Sequence, residues 1–288
     1  MTNLALHPST KQALDQFQAS PSHSLMIVGS SGAGKSTVAT YLVGQVIDPD
    51  KDIQKNPYFL RIIPDKNSIS IEAIRQAHEF IRLKTTGSKP WRRAIIVEDA
   101  HYMTSEAQNA FLKMLEEPPA DTIIVLTALS DTSVLPTISS RTQQLRVKPL
   151  AAQEAQDYFS QQGADPVEVT RAYHMSGGQI GLMTQILDTE NNQQLLGHID
   201  SAKQLLKASA FEKLVFIDQY IKQKDSIEQL LWALLAVCRA ALQQASQQNK
   251  QPMVKHWQNS IKVILRAQDT LASHPLPKLL LTDLSLQL

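Results

Sequence analysis

One run limits what this chain can fold into more than anything else in it. Gly29-Ser30-Ser31-Gly32-Ala33-Gly34-Lys35-Ser36-Thr37 reads G-x-x-x-x-G-K-[ST] in full. The apolar Leu25-Met26-Ile27-Val28 precedes it and Val38-Ala39-Thr40-Tyr41-Leu42-Val43 follows. A strand, a glycine-rich loop and a helix start in that order make a P-loop. The glycines let the backbone curl so that successive N–H groups face one anion, and the helix N-terminus adds positive partial charge. Lys35 is then the cation for the β- and γ-phosphates of ATP, and the Ser36 hydroxyl a ligand for Mg²⁺.

Such a loop belongs on a parallel sheet, and the next stretches supply one. Tyr58 to Ile63, Ala94 to Val97, Ile123 to Leu126 and Leu145 to Val147 read as further strands. Helical patterns separate them: Ile71 onward, capped by Ser70, and Ala107, Ala110, Phe111, Met114 and Leu115 at helical spacing behind Thr104 or Ser105. Alternation of this kind predicts an α/β domain whose ligand lies at the carboxyl ends of the strands. Glu98 and Asp99 end the third strand. This is the Walker B position, where one carboxylate orients Mg²⁺ and the next positions water. Thr127 ends the fourth strand at the same side of the sheet.

After Pro149 no strand-like run appears, and the pattern turns helical to the end. Leu230, Leu231, Leu234, Leu235, Cys238 and Leu242 form one stripe, Ile261, Ile264, Leu265 and Leu271 another. The final Leu279 to Leu286 suits either a helical core or a subunit interface. With 288 residues, 43% apolar, the chain can bury two or three cores. A net charge of +1 leaves nucleic-acid contact to a local patch or to partners. Lys84, Lys89, Arg92 and Arg93 form such a cluster, either a solvated face or a contact for phosphate backbone. One cysteine excludes an internal disulfide. Asn3 to Gln18 lacks the apolar run of a signal peptide and no stretch is long enough to span a membrane, so the expectation is cytoplasmic.

Several of these segments resemble the AAA+ clamp-loader family of bacteria. The run Ile96 to Met103 followed by Ala107 to Pro119 is similar to that family's Walker B and LLKxLEEPP helix. Leu135-Pro136-Thr137-Ile138-Ser139-Ser140-Arg141 resembles its LPTIxSR segment, and Ser70 to Arg75 its IxxIR helix. Within the family the resemblance is to the delta-prime kind of DNA polymerase III subunit. It implies an AAA+ nucleotide-binding domain over 1–148, a helical lid over 149–193 and a helical collar over 194–288. It also implies partners: delta and gamma/tau subunits in a hetero-pentamer, a sliding clamp and primed DNA. Arg141 becomes a finger that completes a neighbouring subunit's ATP site, and Thr127 becomes sensor 1. Gly177 to Leu182 carries no arginine at the sensor 2 position, and Glu98-Asp99 reverses the motor order. The expectation is therefore an ATP binder with weak or no ATPase of its own; the alternative is a gamma/tau-like motor.

Overall fold

The computed structural model describes residues 4–65, 68–188, 193–222, 227–271 and 276–288. Its internal contacts divide the chain into two compact units, Met1–Lys148 and Pro149–Leu288.

The first unit is built on a five-stranded parallel sheet in the order β2-β3-β4-β1-β5. The strands are β1 (Ser24–Val28), β2 (Phe59–Ile62), β3 (Arg93–Val97), β4 (Thr122–Ala128) and β5 (Gln143–Arg146). Helices α1 (Pro8–Ala19), α2 (Lys35–Ile47), α3 (Ile71–Arg82), α4 (Ser105–Glu116) and α5 (Pro136–Ser139) surround it. Strands β1, β3 and β4 are buried at every position, which is why they are near-continuous apolar runs. Side chains alternate across the sheet. Leu25, Ile27, Ala94, Ile96, Ile123 and Val125 pack on Phe17, Val38, Leu42 and Val43 of α1 and α2. Met26, Val28, Ile95, Val97, Ile124 and Leu126 pack on Ile74, Ala107, Phe111 and Met114 of α3 and α4. The outer strand β5 is clipped to α1 by buried Thr10, whose hydroxyl donates to Arg146 O and accepts from Lys148 N–H.

The connection leaving β1 runs through α2 on one face, and the one leaving β4 runs through α5 on the other. Neighbouring strands whose connections part in this way leave a crevice at their carboxyl ends. The loop Gly29–Gly34 starts there.

The second unit is helical: α6 (Ala152–Gln161), α7 (Pro166–Ser176), α8 (Ile180–Leu187), α9 (Gln193–Lys207), α10 (Ala210–Lys222), α11 (Ile227–Gln247), α12 (Gln251–Leu271) and α13 (Pro277–Gln287). Helix α11 is its axis, with Leu230 to Ala236 and Cys238 buried in one cluster. The glutamine-rich stretch from Gln243 is mostly helix, and α11 turns into α12 through Asn249 at φ 52. Of the second stripe Ile264 is buried, while Leu265 faces solvent. Leu182 of α8 belongs to the same cluster as α9, α11 and α13. The boundary expected at 193 borders residues 189–192, outside the described residues.

Candidate functional site

The loop after β1 has the geometry of an anion cradle. Gly32 and Gly34 take φ of 73 and 82, a left-handed conformation that side chains with a Cβ resist. Gly34 is the N-cap of α2 and offers no side-chain cap, so the first turn points its N–H groups outward. Lys35 lies buried at the base of that turn and folds back over the loop. Its ammonium donates to Gly29 O at 3.0 Å and Ser30 O at 3.1 Å. Ser36 is half-buried and Thr37 exposed, and both line a cavity of about 600 Å³. Ser31 and Ala33 complete the loop, with Ala33 tucked into the core beneath it.

Strand parity decides what faces this loop. Ala94 and Ile96 pack on the α2 side, so Glu98, two residues on, continues along that face; Thr127 follows Ile123 and Val125 likewise. Both sit at the carboxyl edge. Glu98 N–H donates to Ile62 O at 2.9 Å, which locks the strand end. Its carboxylate turns outward to the edge strand β2. Arg61 Nη2 lies 2.5 Å from Glu98 Oε1, an ion pair with no aligned hydrogen bond on that oxygen. Phe59 packs on the α2 side, so Arg61 is carried on the same face, and it lines the cavity with Ser36 and Thr37. Arg61 carries no motif of its own; its one signal in the sequence is a lone arginine within an otherwise apolar edge strand.

Asp99 takes φ 45 and ψ 54, left-handed for a residue with a side chain. Its N–H donates to Thr127 Oγ1 at 2.8 Å. Thr127 is fully buried and fixes the backbone of the residue that follows the Walker B acid.

Arg141 lies at the other end of the sheet. Its carbonyl accepts from Ser24 Oγ at 2.6 Å, and Ser24 is the first residue of β1, whereas the P-loop follows the last. Five strand residues separate the two backbones by about 16 Å. The Arg141 guanidinium is 39% exposed, 2.9 Å from Glu116 Oε1 and hydrogen-bonded to Thr137 O. An exposed pair of this kind contributes about 0–1 kcal/mol, so the head is easily released. Buried Gln108 secures the segment that presents it. Its amide donates to Met103 O at 3.2 Å and its carbonyl accepts from Leu135 N–H at 2.8 Å. Thr142 donates to Ile138 O and Ser139 O and so closes the end of α5.

The basic cluster at 84–93 is partly tied into the fold. Lys89 pairs with Asp48 at 3.1 Å and Arg92 with Asp121 at 3.3 Å. Arg93 is 2% exposed, stands near the face of Phe80, and donates to the carbonyls of Ile81 and Leu83. Burial pulls its guanidinium pKa down. Lys84 and Lys89 stand at the surface, while Arg93 belongs to the core.

The family described as DNA polymerase III, delta subunit, matches residues 8–151, half of the chain and nearly all of its first unit. The chain belongs to that family. DNA polymerase III subunit delta' of Bacillus subtilis is 29% identical over 159 residues, 50% of this chain and 48% of that protein. The subunit delta' of Pseudomonas aeruginosa is 26% identical over 209 residues, 66% and 63% of the two chains. This chain thus spans about half to just under two thirds of those relatives. A solved gamma subunit-related protein of Thermotoga maritima is 21% identical, covering 96% of this chain and 97% of that one, with a TM-score of 0.48.

Proposed function

We propose that this chain is a clamp-loader subunit of the delta-prime kind. It binds ATP at Gly29 to Thr37, holds it without efficient turnover, and lends Arg141 to the ATP site of a neighbouring subunit. In this reading 149–193 is a lid and 194–288 a collar, the partners are delta and gamma/tau subunits in a pentameric assembly, and the assembly places a sliding clamp on primed DNA. The relatives named subunit delta' support the role.

The position of Arg141 carries the reading of it as a finger. Its backbone stands about 16 Å of strand away from its own P-loop, badly placed for a phosphate held there, while its exposed, weakly paired head is open to one held by a neighbour. Arginine entering from outside stabilises charge on a transferring phosphoryl group. The nucleotide's Mg²⁺ would meet the Ser36 hydroxyl at the start of α2; Glu98 would first have to leave Arg61. Asp99, short and left-handed, supports a site that holds nucleotide rather than one that turns it over.

The test is ATPase activity of the reconstituted complex with clamp and primed DNA. Arg141→Ala is expected to cost about 10³-fold at the site it serves, while Lys35→Ala leaves turnover within about twofold. If Lys35→Ala instead removes a full share and the isolated chain hydrolyses ATP, the gamma/tau-like motor reading replaces this one.

A further inference from the structure

The pair Arg61–Glu98 stands at the carboxyl edge of the sheet, the end at which the glycine-rich loop follows β1. Glu98 is the carboxylate that the sequence offers to Mg²⁺, yet it is already neutralised. Its side chain is 12% exposed and its partner 37%, with 2.5 Å between nitrogen and oxygen. Both side chains stand on the sheet face that packs against α2, and Arg61 lines the same cavity as Ser36 and Thr37. Asp50 and Asp52 also line that cavity, but Asp52 is occupied in capping Gln54 N–H.

From these positions we propose that Arg61 is the resident counter-ion of Glu98 and stands in for the divalent cation, so that this chain binds nucleotide without Mg²⁺. The inference rests on the nucleotide-binding reading above. Two physical arguments carry it. A divalent ion recruited by Glu98 would have to strip a guanidinium from a mostly buried carboxylate, and separating such a pair is costly. Mg²⁺ also demands near-ideal octahedral geometry and gives up water reluctantly, which a carboxylate turned toward the edge strand does not favour. A guanidinium, by contrast, is always charged and carries five donors in a planar fork, of which one carboxylate uses at most two. The rest suit phosphate oxygens, for which arginine is a bidentate partner. Lys35 and Arg61 then supply the two positive charges beside the phosphates.

The experiment is a titration of the full chain with a fluorescent ATP analogue, once in Mg²⁺ and once in EDTA. Wild type is expected to bind in both, with dissociation constants within about threefold of each other. Arg61→Gln is expected to lose about tenfold in EDTA and to recover part of it in Mg²⁺, because Glu98 is then free to take a cation. Glu98→Gln, which keeps Arg61, is expected to retain metal-free binding. The melting temperature of each variant shows that it is folded. Wild type losing tenfold or more on transfer to EDTA overturns the inference while leaving the nucleotide-binding reading intact. So does loss of metal-free binding in folded Glu98→Gln. Wild type binding in neither condition overturns the nucleotide-binding reading, and this inference with it.

Discussion

At the scale of single residues, the polar side chains that organise the first unit are those a pattern analysis passes over. The spacing of Ala107, Phe111 and Met114 marks a core stripe, and Gln108 lies beside it as one more polar residue on a helix. In the fold it is buried and joins α4 to the segment that presents Arg141, through Met103 O and Leu135 N–H. Replacing it by leucine keeps the volume and leaves two buried backbone groups unpaired, each costing about 1–3 kcal/mol. Gln108→Leu is therefore expected to lower unfolding stability by about 2–4 kcal/mol, read from urea denaturation midpoints at constant slope. A loss below about 0.5 kcal/mol would mean that water replaces both bonds. The P-loop was legible because its chemistry demands fixed residue types at fixed spacing. Arg61, Gln108 and the burial of Arg93 were not, because each depends on a partner brought close by the sheet and not by the chain: Glu98, Leu135 and the end of α3.

At the scale of elements, β1, β3 and β4 could be read because each is a near-continuous apolar run set between polar turns, while β2 is broken by Arg61 and β5 buries only Leu145; the strand ends shifted by a residue or two only. The short helix α5 could not, since Leu135 to Ser139 is too brief to show periodicity and is held by Gln108 and Thr142. The amino end of the sheet shows how loops and strands are tied. Asp121, just before β4, accepts from the hydroxyls of Thr85 and Thr122 and from the Arg92 side chain, while its carbonyl accepts from Arg92 and Arg93 N–H. Burial alone would raise its pKa. The bonds from Thr85 and Thr122 and the charges of Arg93 and Arg92 outweigh that and hold it below the ordinary 3.8. A lowered carboxyl contributes stability that is present above its ordinary value and is lost as pH falls through the folded one. Wild type is thus expected to lose melting temperature below pH 3.8 more steeply than Asp121→Asn. Asp121→Asn starts lower near neutrality, since its amide must present N–H to donors that need an acceptor. Parallel acid limbs for the two proteins would remove Asp121 from the account.

At the scale of the whole molecule, each unit carries its own core, and the second leaves apolar surface over. Among the described residues no helix is long and apolar enough to cross a membrane, so that surface needs another explanation. On α13, Leu280, Leu281 and Leu284 are buried in the core, whereas Leu279 and Leu286 are each 66% exposed and, seven residues apart, share one face. On α10, which packs on α13, Phe211, Leu214 and Val215 are exposed at helical spacing. The closing leucines therefore split their work: Leu280, Leu281 and Leu284 belong to the core, while Leu279 and Leu286 face solvent. Pattern alone could not divide them, because leucines stand on more than one face of that segment. Contiguous exposed apolar side chains on neighbouring helices mark association surfaces, which the proposed assembly would use. The double change Leu279→Ser and Leu286→Ser touches no buried atom. It is expected to cost less than about 1 kcal/mol in the isolated chain, a matter of helix propensity alone, while lowering recovery of the chain in reconstituted complex on gel filtration. Leu281→Ser is the contrasting change: it places a hydroxyl in the core and is expected to lower the melting temperature of the isolated chain directly. If the double variant assembles as wild type does, the face on α10 and α13 is not the joint.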